Sequence, residues 1–208
     1  MPITIERSDL AALTTRASSL VGDGRRLLGI TGAPGAGKST LAEQLVAGLA
    51  PSAVLVPMDG FHLAQSQLRR LGREERKGAI DTFDGVGFVA LVRRLRTADA
   101  DVYAPTFRRD IEEPIAGAIH VATQVPLVVL EGNYLLAAQP PWESLRELID
   151  EVWYLDPDRA VRLERLIARH VAFGRDPEEA RAWAIGTDER NARLIESTRA
   201  RADVIVVG

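Results

Sequence analysis

The chain has 208 residues, 46% of them hydrophobic, no cysteine, and a formal net charge of −3. That length and apolar share predict one α/β domain over residues 1–208 with a sizeable core. The slight negative charge supplies no basic field for nucleic acid. The lack of cysteine excludes a disulfide framework or a zinc–thiolate site and suits a reducing cytoplasm.

The N-terminal stretch Met1-Pro2-Ile3-Thr4-Ile5-Glu6-Arg7 lacks the apolar core of a signal peptide. No apolar run approaches the ~20 residues that span a bilayer, so a cytoplasmic protein without membrane insertion is expected. Ser8 or Asp9 caps a first helix to about Leu20, with Leu10, Leu13, Ala17 and Leu20 on one stripe. Gly22-Asp23-Gly24 turns the chain into an apolar strand, Leu27 to Thr31.

That strand runs into Gly32-Ala33-Pro34-Gly35-Ala36-Gly37-Lys38-Ser39-Thr40, the pattern G-x-x-x-x-G-K-[ST], and then into a stretch with apolar residues at helical spacing. Strand, glycine-rich loop and helix form a phosphate cradle, in which backbone N–H groups and the helix start face the anion. Lys38 reaches toward the β- and γ-phosphates and the Ser39 hydroxyl toward Mg²⁺. A second apolar strand, Ala53 to Met58, ends in Asp59-Gly60-Phe61-His62. An acid at the carboxyl end of a strand in an open α/β sheet is placed to take a proton from an attacking hydroxyl, or to face the metal.

Ala64 to Arg70 reads as a short helix. The polar stretch from Arg73 to Asp84 follows, with Arg76, Lys77 and Asp81 as candidate acceptor contacts. Asp84-Gly85-Val86-Gly87 matches D-x-x-G, but no apolar strand precedes it and no N-K-x-D occurs in the chain, so a GTPase is not indicated. Phe88 to Arg96 is a helix. Val102 to Phe107 and Ala118 to Val121 read as a hairpin at the sheet edge or over the acceptor pocket, within an acceptor-covering segment of about 60–122. His62, Tyr103, Arg108 and Asp110 are its candidate substrate contacts. Val125 to Leu130, the most apolar run, ends in Glu131-Gly132-Asn133, which puts a metal-facing carboxylate at Glu131 and a substrate contact at Asn133.

Trp142 to Leu148 is a short helix and Glu151 to Leu155 a strand. An arginine-rich helix, Asp158 to Phe173, carries Arg162, Arg165 and Arg169, followed by Gly174-Arg175. Cations over the phosphates offset charge during transfer, so residues 159–176 read as a lid, with Arg165 and Arg169 catalytic and Arg175 on the nucleotide. Pro177 opens one further helix, Thr187-Asp188 caps another from Glu189 to about Arg199, and Asp203 to Val207 is a last strand. The alternation predicts a P-loop NTPase fold: a doubly wound, mostly parallel sheet of about five strands, with helices on both faces and a small helical lid.

With these residues in hand, the chain resembles the P-loop kinases of the uridine kinase, pantothenate kinase and phosphoribulokinase family. The resemblance runs from Leu27 over nearly the whole remaining length. It rests on GAPGAGKST, PMDGFH, VYAPTFRRD, VVLEGNY and RLERLIARH. MDGFHL, RKGAIDTFD, YAPTFRRDIEEPIAG and LEGNYLL are similar to bacterial proteins named as fructose transport system kinases. The resemblance implies ATP, Mg²⁺ and transfer of the γ-phosphoryl group to a small-molecule hydroxyl. By position Asp59 matches the family's catalytic acid, Lys38, Ser39 and Thr40 its phosphate and magnesium residues, and Arg165 and Arg169 its lid arginines. One departure lies in the lid: His170 follows Arg169 where uridine kinases carry an Arg-Asp pair, which weighs against a nucleoside.

Three functions follow. The first is a kinase for a sugar-like hydroxyl compound. The second is a kinase for a nucleoside or a pantothenate-type vitamin precursor. The third is an ATP-binding regulatory module without acceptor chemistry. A homodimer is left open.

Overall fold

The computed structural model describes residues 2–97 and 99–208. In chain order the elements are β1 (Ile3–Glu6), α1 (Leu10–Ser19), β2 (Arg26–Gly32), α2 (Lys38–Gly48), β3 (Ala53–Pro57), α3 (Gln65–Leu71), α4 (Gly85–Thr97), β4 (Val102–Arg108), β5 (Glu113–Val121), β6 (Leu127–Glu131), α5 (Leu145–Leu148), β7 (Glu151–Asp156), α6 (Arg159–Ala172), α7 (Pro177–Trp183), α8 (Glu189–Glu196) and β8 (Val204–Val207). Among the described residues six strands form one parallel sheet in the order β1-β8-β7-β2-β6-β3. β4 and β5 form a separate antiparallel hairpin.

The central strands are apolar throughout because both of their faces are covered. Val128 and Leu130 of β6 face one core, with Phe88, Val92, Tyr134 and Trp142. Leu127 and Val129 face the other, with Leu13 and Ala17 of α1 and Leu41 and Leu45 of α2. Asp9 caps α1 by accepting from the Ala12 N–H at 2.9 Å. No helix among the described residues is long and apolar enough to cross a membrane.

Register positions the chemistry. Ile30 of β2 and Pro57 of β3 both pair with Glu131 of β6. The three strands therefore end on one level, and the glycine-rich loop, Asp59 and Glu131 leave the sheet together at its carboxyl edge. The hairpin is laid over that edge. A Cβ added to Gly60 would stand 2.5 Å from the Pro105 carbonyl oxygen, so β4 rests on the backbone beside Asp59. Pro105 lies where the β4–β5 register shifts, between Ala104 and Thr106, a place in a ladder that tolerates a residue without an N–H.

Three local features differ from the sequence reading. The sheet gains a sixth strand, β1, which pairs with β8 at the edge. β5 begins at Glu113 rather than Ala118, which extends the hairpin into its own turn. The segments after Pro177 are a single run: α7 passes through a π-helical turn, Ala184–Asp188, directly into α8. Asp188 therefore does not cap a new helix, and its side chain serves the lid instead.

Candidate active site

A cleft of about 600 Å³ opens where these strands end. The loop from Gly32 to Gly37 forms its floor, and α2 starts at Lys38. Gly35 has φ +83°, and a Cβ there would stand 2.6 Å from the Arg162 carbonyl oxygen. The loop is braced from behind by α6. Arg162 is 3% exposed, donates from Nη1 to the Pro34 carbonyl at 3.1 Å and pairs through Nη2 with Glu189 at 2.6 Å. An arginine buried with both partners in place fixes a backbone position, and Arg159, also on Glu189, reinforces it.

Lys38 and Glu131 are both buried. The Lys38 Nζ donates to the Ala33 carbonyl at 3.2 Å. Burial pushes the ammonium down to about 8, opposed by the charge of Glu131. Burial pushes the Glu131 carboxyl up to about 7, opposed by Lys38 and by the Ser39 hydroxyl. Each charge holds the other in its ionised form within a site that disfavours both. Asp59 stands across from them in the 3₁₀ turn that follows β3. Its Oδ2 accepts from Arg109 Nη2 at 2.8 Å.

Among the described residues no group of three or more His, Asp or Glu side chains forms a metal cage. Mg²⁺ does not need one, since it keeps water and substrate phosphates as ligands and takes one or two protein carboxylates. The Ser39 hydroxyl with Glu131 and Asp59 is a donor set of that kind.

The acceptor side is built by the turn after β3, the loop after α3 and the hairpin tip. The His62 Nδ1 lies 2.9 Å from the Asp59 carbonyl. A carbonyl only accepts, so Nδ1 carries the proton and Nε2 is a bare acceptor. Burial pushes this imidazole below its usual range. Its ring sits between Phe83 (centroids 4.0 Å apart) and Phe107 (4.8 Å). Lys77 is occupied: its ammonium donates to Gln65 Oε1 at 3.3 Å and to the Glu112 carbonyl and carboxylate, both at 2.9 Å. Glu112 has φ +54°, a backbone position that non-glycine residues seldom adopt, and it is held there by this contact.

The lid contributes Arg169, His170, Phe173 and Arg175 to the cleft wall. Nε2 of His170 donates to Asp188 at 2.7 Å, the partner that the π-helical turn carries inward. Arg175 lies 4.1 Å above the Trp183 ring.

Of the residues singled out from the sequence, the cleft brings together Pro34, Lys38, Ser39, Asp59, His62, Lys77, Asp110, Glu131, Asn133, Arg169 and Arg175. Gly32, Ala33, Gly35, Ala36 and Gly37 shape the loop, and Thr40 follows on α2. Five others lie off the cleft wall. Arg165 is exposed on α6, near enough to Arg7 for the two like charges to interact. Tyr103 stacks on His120 on the outer face of the hairpin. Arg108 is paired with Asp110. Arg76 and Asp81 bind one another at 2.5 Å.

Sequence reasoning passed over Arg109, Gln65, Phe173 and Trp183, all on the cleft wall, and Arg162 behind the loop. Two signals were available. Strand alternation puts Phe107 and Arg109 on one side and Arg108 on the other. Helical spacing puts Arg162, Leu166, Arg169 and Phe173 on one stripe, with Arg165 at its margin.

Comparison with known proteins shows the family. The family model of the phosphoribulokinase/uridine kinase family matches residues 27–207. An ATP-dependent kinase-like protein of Aspergillus versicolor, notR', is 37% identical over 161 residues, covering 73% of this chain and 94% of the relative. A Schizosaccharomyces pombe protein named, provisionally, a uridine kinase is 32% identical over 222 residues, covering 99% and 94%. A crystal structure from Silicibacter sp. TM1040, named provisionally for a fructose transport system kinase, superposes with a TM-score of 0.86 at 39% identity, covering 94% of this chain and 98% of that one. The chain belongs to the phosphoribulokinase/uridine kinase family and is a P-loop small-molecule kinase.

Proposed function

We propose that this protein transfers the γ-phosphoryl group of ATP to a hydroxyl of a small polyhydroxy compound of the sugar kind. The observation that carries the reading is the position of Asp59: its carboxylate interacts with the charges of Lys38 and Glu131 and also accepts from Arg109 of the hairpin turn. Asp59 accepts the hydroxyl proton as the acceptor oxygen bonds to the γ-phosphorus. The bond from that phosphorus to the β–γ bridging oxygen breaks, and ADP leaves with the electron pair. Lys38 and Arg169 offset the charge on the transferring group. Ser39, with Glu131 and Asp59, would hold Mg²⁺, which would supply charge neutralisation to the phosphates.

Two features favour a sugar over a nucleoside. The aromatic rings of the acceptor side are packed on one another around His62, which leaves no slot between them for a planar base. His62 and Asn133, among the polar residues of the cleft wall, are of types that suit hydroxyls.

The test is mass-spectrometric detection of phosphorylated product with Mg·ATP and a panel of sugars, nucleosides and pantothenate. A sugar product that Asp59→Asn lowers by ~10²–10⁴-fold supports the reading. A nucleoside product, or an unimpaired Asp59→Asn enzyme, refutes the sugar acceptor or the base assignment respectively.

A further inference from the structure

Arg109 is the one acceptor-side cation on the cleft wall whose donors are largely unspent among the described residues. It sits just past β4, in the hairpin turn, with its side chain 41% exposed. Its single polar partner is Asp59, through Nη2. The guanidinium carbon lies 5.9 Å from the Phe107 ring centroid and 5.7 Å from that of Phe173. Two rings therefore fix the guanidinium, one from the hairpin and one from the lid. Four of its five N–H bonds have no acceptor among the described residues.

The neighbouring cations are committed. Lys77 has three acceptors, Arg108 has Asp110, and Arg73 and Arg76 share Asp81. A hydroxyl needs one donor or one acceptor and gains little from a rigid planar fork. A carboxylate or a phosphate uses the fork in full.

We propose that Arg109 is an anion subsite, so that the acceptor carries a carboxylate or a phosphate beside the hydroxyl that is phosphorylated. This deepens the proposed function and rests on its placement of the acceptor under the hairpin. The acceptor's anionic group replaces Asp59 as the partner of Arg109. Arrival of the correct acceptor thereby frees the Asp59 carboxylate for the proton it must take. In the empty cleft the same ion pair holds the hairpin tip down.

The experiment uses matched pairs with the full chain: gluconate against glucitol for the carboxylate, and fructose 6-phosphate against fructose for the phosphate. Turnover with Mg·ATP is followed by ADP release and by product mass. The expected result is kcat/KM at least ~10-fold higher for the charged member of one pair. In Arg109→Gln the charged-to-neutral ratio falls by ~10–100-fold, chiefly through KM, with Arg109→Lys intermediate because it keeps charge without the fork.

Equal or preferred turnover of the neutral members overturns the subsite. So does an Arg109→Gln enzyme that loses both members alike, since Arg109 would then serve the phosphoryl group. If nothing in either pair is phosphorylated, calorimetric titration of gluconate and fructose 6-phosphate into the protein loaded with Mg²⁺ and a non-hydrolysable ATP analogue separates the two readings. Binding lost in Arg109→Gln keeps the subsite while the transfer to these compounds fails. No binding removes the subsite as well.

Discussion

The two halves of the cleft are built on opposite plans. The nucleotide half is backbone closed into a loop and wedged from behind: Gly35 against the Arg162 carbonyl, Arg162 onto Pro34 and Glu189, and Lys38 and Glu131 buried against each other. The acceptor half is held by side chains that meet across long stretches of sequence at half-exposed positions: Arg109 on Asp59, Lys77 on Glu112, and the Gln65 N–H on Glu113. Charges near water gain little from pairing, so those contacts exchange partners at small cost. Buried, fully partnered groups do not. Rigidity is concentrated around the glycine-rich loop, and adaptability under the hairpin.

Substitutions separate the two plans. The largest effect is expected within the lid. Arg169→Ala should lower kcat by ~10²–10³-fold, the scale for removing one donor to a developing charge. Arg165→Ala, one turn earlier and off the cleft wall, should stay within about twofold. Steady-state kinetics on the two variants checks this, and equal losses would remove the distinction drawn from which of them lines the cleft. Next comes Gly35→Val, which forces a side chain against the Arg162 carbonyl at positive φ. It should cost about 1–3 kcal/mol of stability and at least ~10-fold in Mg·ATP affinity, measured by thermal unfolding and calorimetry.

The pH dependence is smaller again. The Glu131 carboxyl is raised in the folded protein to about 7, and in the proposed role it would have to be ionised to face Mg²⁺. Binding of Mg·ATP therefore releases a proton below that value, and affinity should fall as pH drops from 8 to 6, by up to ~10-fold per unit. Glu131→Gln should flatten the profile. The same shift has a stability consequence of known sign. The folded state holds the extra proton between the unfolded value of 4.5 and about 7, so the free protein should lose stability as pH rises through that window. The smallest effect belongs to the acceptor half. Lys77→Met unties Glu112 at the hairpin tip from Gln65, and should raise the acceptor KM roughly threefold while leaving the KM for ATP in place.

The same contrast explains what was legible in the sequence. The nucleotide half is local: a strand, a loop and a helix in one stretch, and two further apolar strands whose ends carry Asp59 and Glu131. Continuous apolar runs mark such strands because both of their faces are buried. β1 escaped notice since Ile3-Thr4-Ile5-Glu6 is a four-residue edge strand that is mostly exposed and has no apolar face to display. The joined α7–α8 run escaped since Thr187-Asp188 has the chemistry of a cap, and only the π-helical turn shows that Asp188 points to His170 instead. The acceptor half was legible in residue types but not in pairings. Arg76 with Asp81, and Arg108 with Asp110, satisfy each other locally, while Arg109 reaches 50 residues back to Asp59.

Gly60 has a consequence for anyone who wants to change what this enzyme accepts. It bears no reactive group, yet the Pro105 backbone rests on it so closely that any side chain would lift the hairpin away from Asp59. The clearance between base and cover is therefore set by a residue that touches no substrate. A library aimed at widening the acceptor range would move that ceiling first, through Gly60 and Pro105, and leave the groups that read the acceptor for a second round.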